Sequence, residues 1–139
     1  THVGLVVGSS VLGIPLRIVG ISPSPRQNAG ANTQLAEVAN HVVRMLGIDL
    51  TFSATDFESY GEYAGEAYGL VTPACREAVI LAARTEGLLL DPVYTGKTFG
   101  ALIDHIRKGQ FARNQTVVFV HTGGTPALFA YGNEILVDV

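Results

Sequence analysis

Thr116-Val117-Val118-Phe119-Val120 is an unbroken apolar run, and His121-Thr122-Gly123-Gly124-Thr125-Pro126 follows it directly. The run predicts a buried strand. The histidine-to-glycine segment predicts a turn, and Thr-Pro opens a short final helix. Earlier in the chain Leu88-Leu89-Leu90 repeats the theme and is stopped by Asp91-Pro92. A helix is predicted between these two runs, from Lys97 to Lys108, with Phe99, Leu102, Ile103 and Ile106 inward and Gly109 at its end. Strands that are apolar throughout, alternating with helices, predict a parallel sheet covered on both faces. That is an α/β three-layer sandwich with a mostly parallel sheet.

The remaining chain fits the same alternation. His2 to Leu12 is rich in Val and Gly and reads as a buried helix or a strand; periodicity does not choose between them. Leu16 to Ile21 predicts a short buried strand, and Ser22-Pro23-Ser24-Pro25 a loop. Asn32 or Thr33 is placed to cap a helix running to Leu46, with Leu35, Val38, Ala39, Val42 and Leu46 on one face and Gly47 as its stop. Leu50 to Ser53 is a weak strand. Thr72-Pro73 starts a helix through Cys75, Val79 and Ala82 to Glu86, closed by Gly87.

Composition narrows the class. With 47% hydrophobic and 15% charged residues, the chain is too apolar for disorder. The net charge is −3 and no basic stripe is present, which removes the electrostatic footprint of nucleic-acid binding. No apolar run approaches the ~20 residues of a membrane span. A single cysteine, Cys75, excludes an internal disulfide and suits a reducing cytoplasm. Asp56, Glu58, Glu62 and Glu66 lack histidine partners and read as a solvated face, so no metal site is predicted. The first residue is Thr1, which suggests a chain that was processed or taken from a longer one.

In parallel sheets, ligands gather beyond the C-terminal strand ends, and two turns are predicted there. In the Gly123-Gly124 turn, glycines allow a ligand to approach the backbone and Thr122 adds a hydroxyl. A tight turn requiring positive φ explains the same glycines. In the other turn Tyr94 can stack on a flat cofactor or act as a general acid or base; its structural alternative is a core aromatic with one wet edge. Gly96-Lys97 looks like the tail of a phosphate loop but lacks the earlier glycine, so Lys97 is read as a first-turn surface lysine. His41 and His105 are read as helix-surface residues and His121 as a structural hydrogen-bonding residue.

Three segments taken together resemble the C-terminal region of D-cysteine desulfhydrases. They are Glu86-Gly-Leu-Leu-Leu-Asp-Pro-Val-Tyr-Thr-Gly-Lys97, Gly100-Ala-Leu-Ile-Asp104, and Val118-Phe-Val-His-Thr-Gly-Gly-Thr-Pro-Ala-Leu-Phe-Ala-Tyr131. These enzymes group with 1-aminocyclopropane-1-carboxylate (ACC) deaminases among the tryptophan-synthase-β-like pyridoxal-phosphate (PLP) enzymes. The resemblance is dense from Tyr68 to Tyr131 and looser before it. It implies the C-terminal part of the large domain of a fold-type-II PLP enzyme, as one partial domain over residues 1–139 without the N-terminal part or the small domain. It also implies PLP as cofactor, a small amino-acid substrate and a homodimer in the intact enzyme.

By position, the resemblance makes Tyr94 and Tyr68 catalytic. Thr1 becomes the last residue of the loop holding the PLP phosphate, and Thr122, with Gly123 and with Thr95 close by, faces the pyridine nitrogen. ACC deaminases carry glutamate where this chain has Thr95 and leucine where it has Thr122. Two neutral hydroxyls deepen the electron sink less than a carboxylate at the ring nitrogen, which fits β-elimination better than ring opening. The implied reaction converts D-cysteine to pyruvate, ammonia and sulfide; L-cysteate sulfo-lyase or ACC deaminase are the alternatives within the family.

The chain departs from that family in lacking the Schiff-base lysine, the phosphate-loop glycines expected before Thr1 and the small domain that covers the cofactor. The Schiff-base lysine is expected upstream, and Lys97 and Lys108 are the only lysines present, both in the wrong context. The expectation is a chain that is inactive alone and partners the missing N-terminal segment. Two rivals stand beside this reading. One is an amidohydrolase chain with Thr1 as N-terminal nucleophile. The other is a non-catalytic interaction fragment.

Overall fold

A computed structural model of the chain describes residues 1–25 and 30–137. Among the described residues six α-helices and two short strands follow in the order α1 (His2–Leu12), β1 (Val19–Ile21), α2 (Ala31–Leu46), β2 (Glu58–Tyr60), α3 (Pro73–Glu86), α4 (Thr95–Arg107), α5 (Ala127–Ala130) and α6 (Gly132–Ile135), with short 3-10 turns at Ala54–Asp56 and Glu62–Ala64. The strands pair in parallel, Val19 with Glu58 and Ile21 with Tyr60, and α2 supplies the crossover between them.

The core has two parts. In the first, Val6 and Val7 of α1 meet Ala36, Ala39 and Val43 of α2, with Phe52 and Phe57 completing it. His2–Leu12 is thus a helix, and its ambiguity is settled by packing one face on α2. The second part joins Cys75, Val79 and Ala82 of α3 to Leu90 and to Ile135 of α6, with Phe99, Phe119 and Leu128 packed around them. Close approach of α4 to α3 depends on small residues: a Cβ on Gly96 would lie 2.6 Å from the Asp91 carbonyl oxygen and 2.8 Å from the Cys75 sulfur.

Several expected elements differ. Leu50–Ser53 forms no strand, because the Asn40 side chain takes both backbone groups of Phe52, each at 2.8 Å, and the Ser53 N–H goes to the Asp56 carboxylate at 2.7 Å. The helix over α2 starts two to three residues earlier than the expected cap at Asn32 or Thr33, from Gly30 at φ 73°, and Asn32 instead turns inward to donate to the Phe57 carbonyl at 2.8 Å. Its buried stripe is rotated: Ala36, Ala39 and Val43 are inside, while Val38 and Leu46 are exposed. On α4, Gly100, Ala101 and His105 face inward and Ile106 is exposed.

The runs Leu88–Leu90 and Thr116–Val120 are not strands in the described residues. Leu90 is fully buried and Phe119 packs on the second core, yet Val118 is 78% exposed and Leu89 50%. Apolar runs of this kind become strands only when a neighbouring strand supplies partners for their backbone groups. The remaining helix boundaries follow the sequence. Thr72 accepts from the Cys75 N–H at 3.2 Å as the cap of α3, and Gly87 ends that helix at φ 64°.

Candidate active site

Asp91, fully buried, follows Leu90 directly. Its carboxylate accepts four hydrogen bonds: from the N–H groups of Val93 and Tyr94 at 2.8 Å, from the Thr95 N–H at 2.8 Å and from the Thr95 hydroxyl at 2.7 Å. The Thr95 hydroxyl in turn accepts from the Asp91 N–H at 2.9 Å. Burial alone would push this carboxyl up; the four donors outweigh it and hold it below the ordinary aspartate value. The effect is to pin the first turn of α4 and to aim Tyr94 outward.

Tyr94 and Tyr68 meet there, each partly exposed, with their hydroxyls hydrogen-bonded and their rings edge-on at 6.0 Å. The bond to Tyr94 raises the Tyr68 phenol above the ordinary tyrosine value, so Tyr68 is a neutral phenol near pH 7. The pair shares one hydrogen-bonding proton and leaves the other hydroxyl proton free to serve a third group.

The glycine turn lies against the same anchor. Gly124 is at φ 91°, and a Cβ there would sit 2.6 Å from the Asp91 carboxylate. Gly123 is at φ 103° with open space where a side chain would be, and Thr122 is exposed beside it. His121 faces back: its Nε2 lies 3.2 Å from the Leu89 carbonyl oxygen, and its Nδ1 accepts from the Gly123 N–H at 3.3 Å. The neutral tautomer protonated on Nε2 satisfies both bonds, in keeping with a structural role.

The structure therefore brings Tyr68, Tyr94, Thr95 and the Gly123-Gly124 turn around one residue. Thr95 is 2% exposed and its hydroxyl is engaged by Asp91 as donor and acceptor. Thr1 is exposed at the head of α1, in the half of the molecule built on the first core, and makes no side-chain cap.

Two sequence readings are corrected. Lys97 is a buried residue, 1% exposed, its ammonium donating to the Ala64 carbonyl at 2.6 Å; burial lowers its pKa, against the pull of Cys75 and Asp91. His105 is 2% exposed, edge-on to Tyr60 at 4.7 Å and to Tyr63 at 5.7 Å. Of the loose carboxylates, Glu58 pairs with Arg17 at 2.6 Å and Asp56 caps Ser53. Asp91 was legible only as a strand stop. The signal that it organises the turn is Asp-Pro-x-x-Thr before a helix, an aspartate placed to cap the backbone N–H groups two to four residues on.

Open glycine backbone, an exposed hydroxyl and two accessible phenols suit a flat polar coenzyme between two turns, as in an α/β enzyme of the fold-type-II PLP class. Residues 1–123 match the family described as pyridoxal-phosphate dependent enzyme, and the chain belongs to that family. It is 37% identical over 132 residues to the 1-aminocyclopropane-1-carboxylate deaminase of Methylobacterium nodulans, covering 95% of this chain and 39% of that protein. It is 36% identical to the enzyme of the same name from Pseudomonas syringae pv. tomato over 131 residues, 94% of this chain and 38% of that one. The crystal structure of an ACC deaminase homologue superposes with a TM-score of 0.85 at 33% identity, covering 98% of this chain and 40% of that one. The chain thus spans about two fifths of the length of these relatives.

Proposed function

We propose that this chain supplies the tyrosine and glycine turns of a PLP-dependent lyase acting by α,β-elimination on D-cysteine, in concert with the N-terminal part of such an enzyme. The observation that carries the reading is the hydroxyl–hydroxyl contact of Tyr68 and Tyr94 beside the Gly123-Gly124 turn. PLP, when bound, supplies the electron sink that makes loss of an α-proton accessible.

The chain's own residues would do the following. Tyr94 Oη and Tyr68 Oη form a relay in which one phenol hydrogen-bonds the other while the second proton is presented to the substrate. Thr122 offers a neutral hydroxyl to the ring nitrogen, and the open face of Gly123 lets the coenzyme lie close to backbone. Thr1 would contribute through the backbone N–H groups at the N-terminus of α1, which suit a phosphate and lie in the half of the molecule built on the first core. The tethering lysine must come from outside this chain: Lys97 is buried against Ala64 and Lys108 is paired with Asp104 at 2.6 Å.

A second reading, ACC deaminase, is favoured by the names of the relatives. The threonines at 95 and 122 weigh against it. The test is the polypeptide of the complete reading frame, loaded with PLP and offered each substrate. Sulfide and pyruvate are expected from D-cysteine at a rate at least tenfold above ammonia release from ACC; the opposite order overturns the substrate assignment. The 139-residue chain with PLP and D-cysteine is expected to release no sulfide above the uncatalysed rate.

A further inference from the structure

One buried residue touches both turns: Asp91 bonds the backbone of the tyrosine turn and packs under Gly124 of the glycine turn. Asp91 holds the N–H groups of Val93, Tyr94 and Thr95 on one side and lies under the Cα of Gly124 on the other. A second strut runs parallel to it, from His121 to the Leu89 carbonyl two residues before Asp91. The titratable groups around the carboxylate are Lys97 on α4, Cys75 on α3, and Tyr68 across the site. Lys97 is the cation among them, buried on α4 with its ammonium on the Ala64 carbonyl and within electrostatic reach of the carboxylate. It offsets a negative charge that water does not reach.

We propose that Asp91 is the positioning residue of this site: its carboxylate locks the tyrosine turn and the glycine turn into one rigid unit, so that displacing either turn displaces the other. This rests on reading Tyr94 as a site phenol. The geometry supports it in three ways. Four donors on one carboxylate leave it no alternative rotamer that keeps them all satisfied. Glycine at 124 is required both by its positive φ and by the 2.6 Å approach to that carboxylate. Tyr94 leaves the helix start at the residue whose N–H Asp91 holds, so its phenol direction is set by that bond.

The experiment follows the tyrosines by NMR in the polypeptide of the complete reading frame, free of PLP and labelled with 13C at tyrosine Cζ. In the parent chain the Tyr68 resonance is expected to titrate above the ordinary tyrosine value of 10, and mutual NOEs are expected between Tyr68 and Tyr94 ring protons. Asp91→Asn keeps the side-chain volume but leaves one oxygen for four donors. It is expected to release Tyr94, abolish those NOEs and bring the Tyr68 midpoint down towards 10, with Tyr60, Tyr63 and Tyr131 unmoved. A folded Asp91→Asn chain with the Tyr68 midpoint and NOEs unchanged overturns the proposal.

Gly124→Ala approaches from the other turn and stands in if Asp91→Asn does not fold. The added methyl presses on the carboxylate, so the amide resonances of Val93, Tyr94 and Thr95 should shift although the substitution lies outside their turn. Shifts confined to residues 121–127 overturn the proposal. Neither readout involves PLP or turnover, so a failed substrate assignment leaves both intact.

Discussion

Cys75 is the side chain on which sequence and structure speak most directly to reactivity. It is fully buried between α3 and the Asp91 turn, its thiol donating to the Pro92 carbonyl at 3.2 Å. Burial pushes the thiol from its ordinary 9.0 up to about 12, with Lys97 pulling the other way. Little thiolate is therefore present near pH 8, and burial denies access besides. Iodoacetamide at pH 8 is expected to label the urea-unfolded chain roughly tenfold or more faster than the native one. Rapid native labelling means that Cys75 does not sit in this interface. The cysteine was legible as unpaired, and the sequence singled out both Tyr94 and Tyr68, whose hydroxyls the structure brings together. Lys97 and His105 were not legible, because a charged residue in the first or last turn of a helix normally faces water. Only tertiary contacts, the Ala64 carbonyl for one and the Tyr60 and Tyr63 rings for the other, reveal that they are inside.

At the scale of elements, the contact of α4 with α3 decides how firmly the tyrosine turn is held. Gly96 is where the two helices touch: an added methyl meets the Asp91 carbonyl oxygen, the Cys75 sulfur and Val79 Cγ2, all within 2.8 Å. Two of those atoms belong to well-packed buried residues and one to backbone, so none can swing away. Gly96→Ala should lower stability by about 1–3 kcal/mol, the usual cost of overpacking, even though alanine favours the helix. Urea unfolding followed by far-UV circular dichroism measures it; an unchanged midpoint contradicts the described packing. Gly100→Ala, where the nearest atom is the Ala74 carbonyl oxygen at 3.0 Å, should cost less. Helix ends were readable because they depend on local chemistry: Thr72-Pro73 begins α3, and Gly47 and Gly87 end α2 and α3 at φ 67° and 64°. Strands were not, because Thr116–Val120 and Leu88–Leu90 depend on partners distant in sequence. Leu50–Ser53 lost its backbone groups to the side chains of Asn40 and Asp56.

At the scale of the molecule, exposed apolar surface and partial coverage of the relatives point the same way. Val117, Val118 and Val120 all stand exposed in the run that follows α4, as do Leu12 at 71% and Leu16 at 60% beyond the first core. A folded monomer of this size rarely leaves that much apolar side chain in water, and such patches mark surfaces meant for burial. The two core clusters share no residue, so the apolar interior of the chain is divided in two. The chain on its own is therefore expected to bind the dye 1-anilinonaphthalene-8-sulfonate with enhanced, blue-shifted fluorescence and to self-associate on size exclusion. The polypeptide of the complete reading frame should do neither, because the added strands pair with Thr116–Val120 and cover Val118. Hydrogen exchange locates the effect: amides of residues 116–120 should be unprotected in the chain alone and protected by at least a hundredfold in the longer polypeptide, as interior strands are. If those amides are equally protected in both, the run is already paired and the apolar surface belongs to another partner, a second copy of this chain being the first to test.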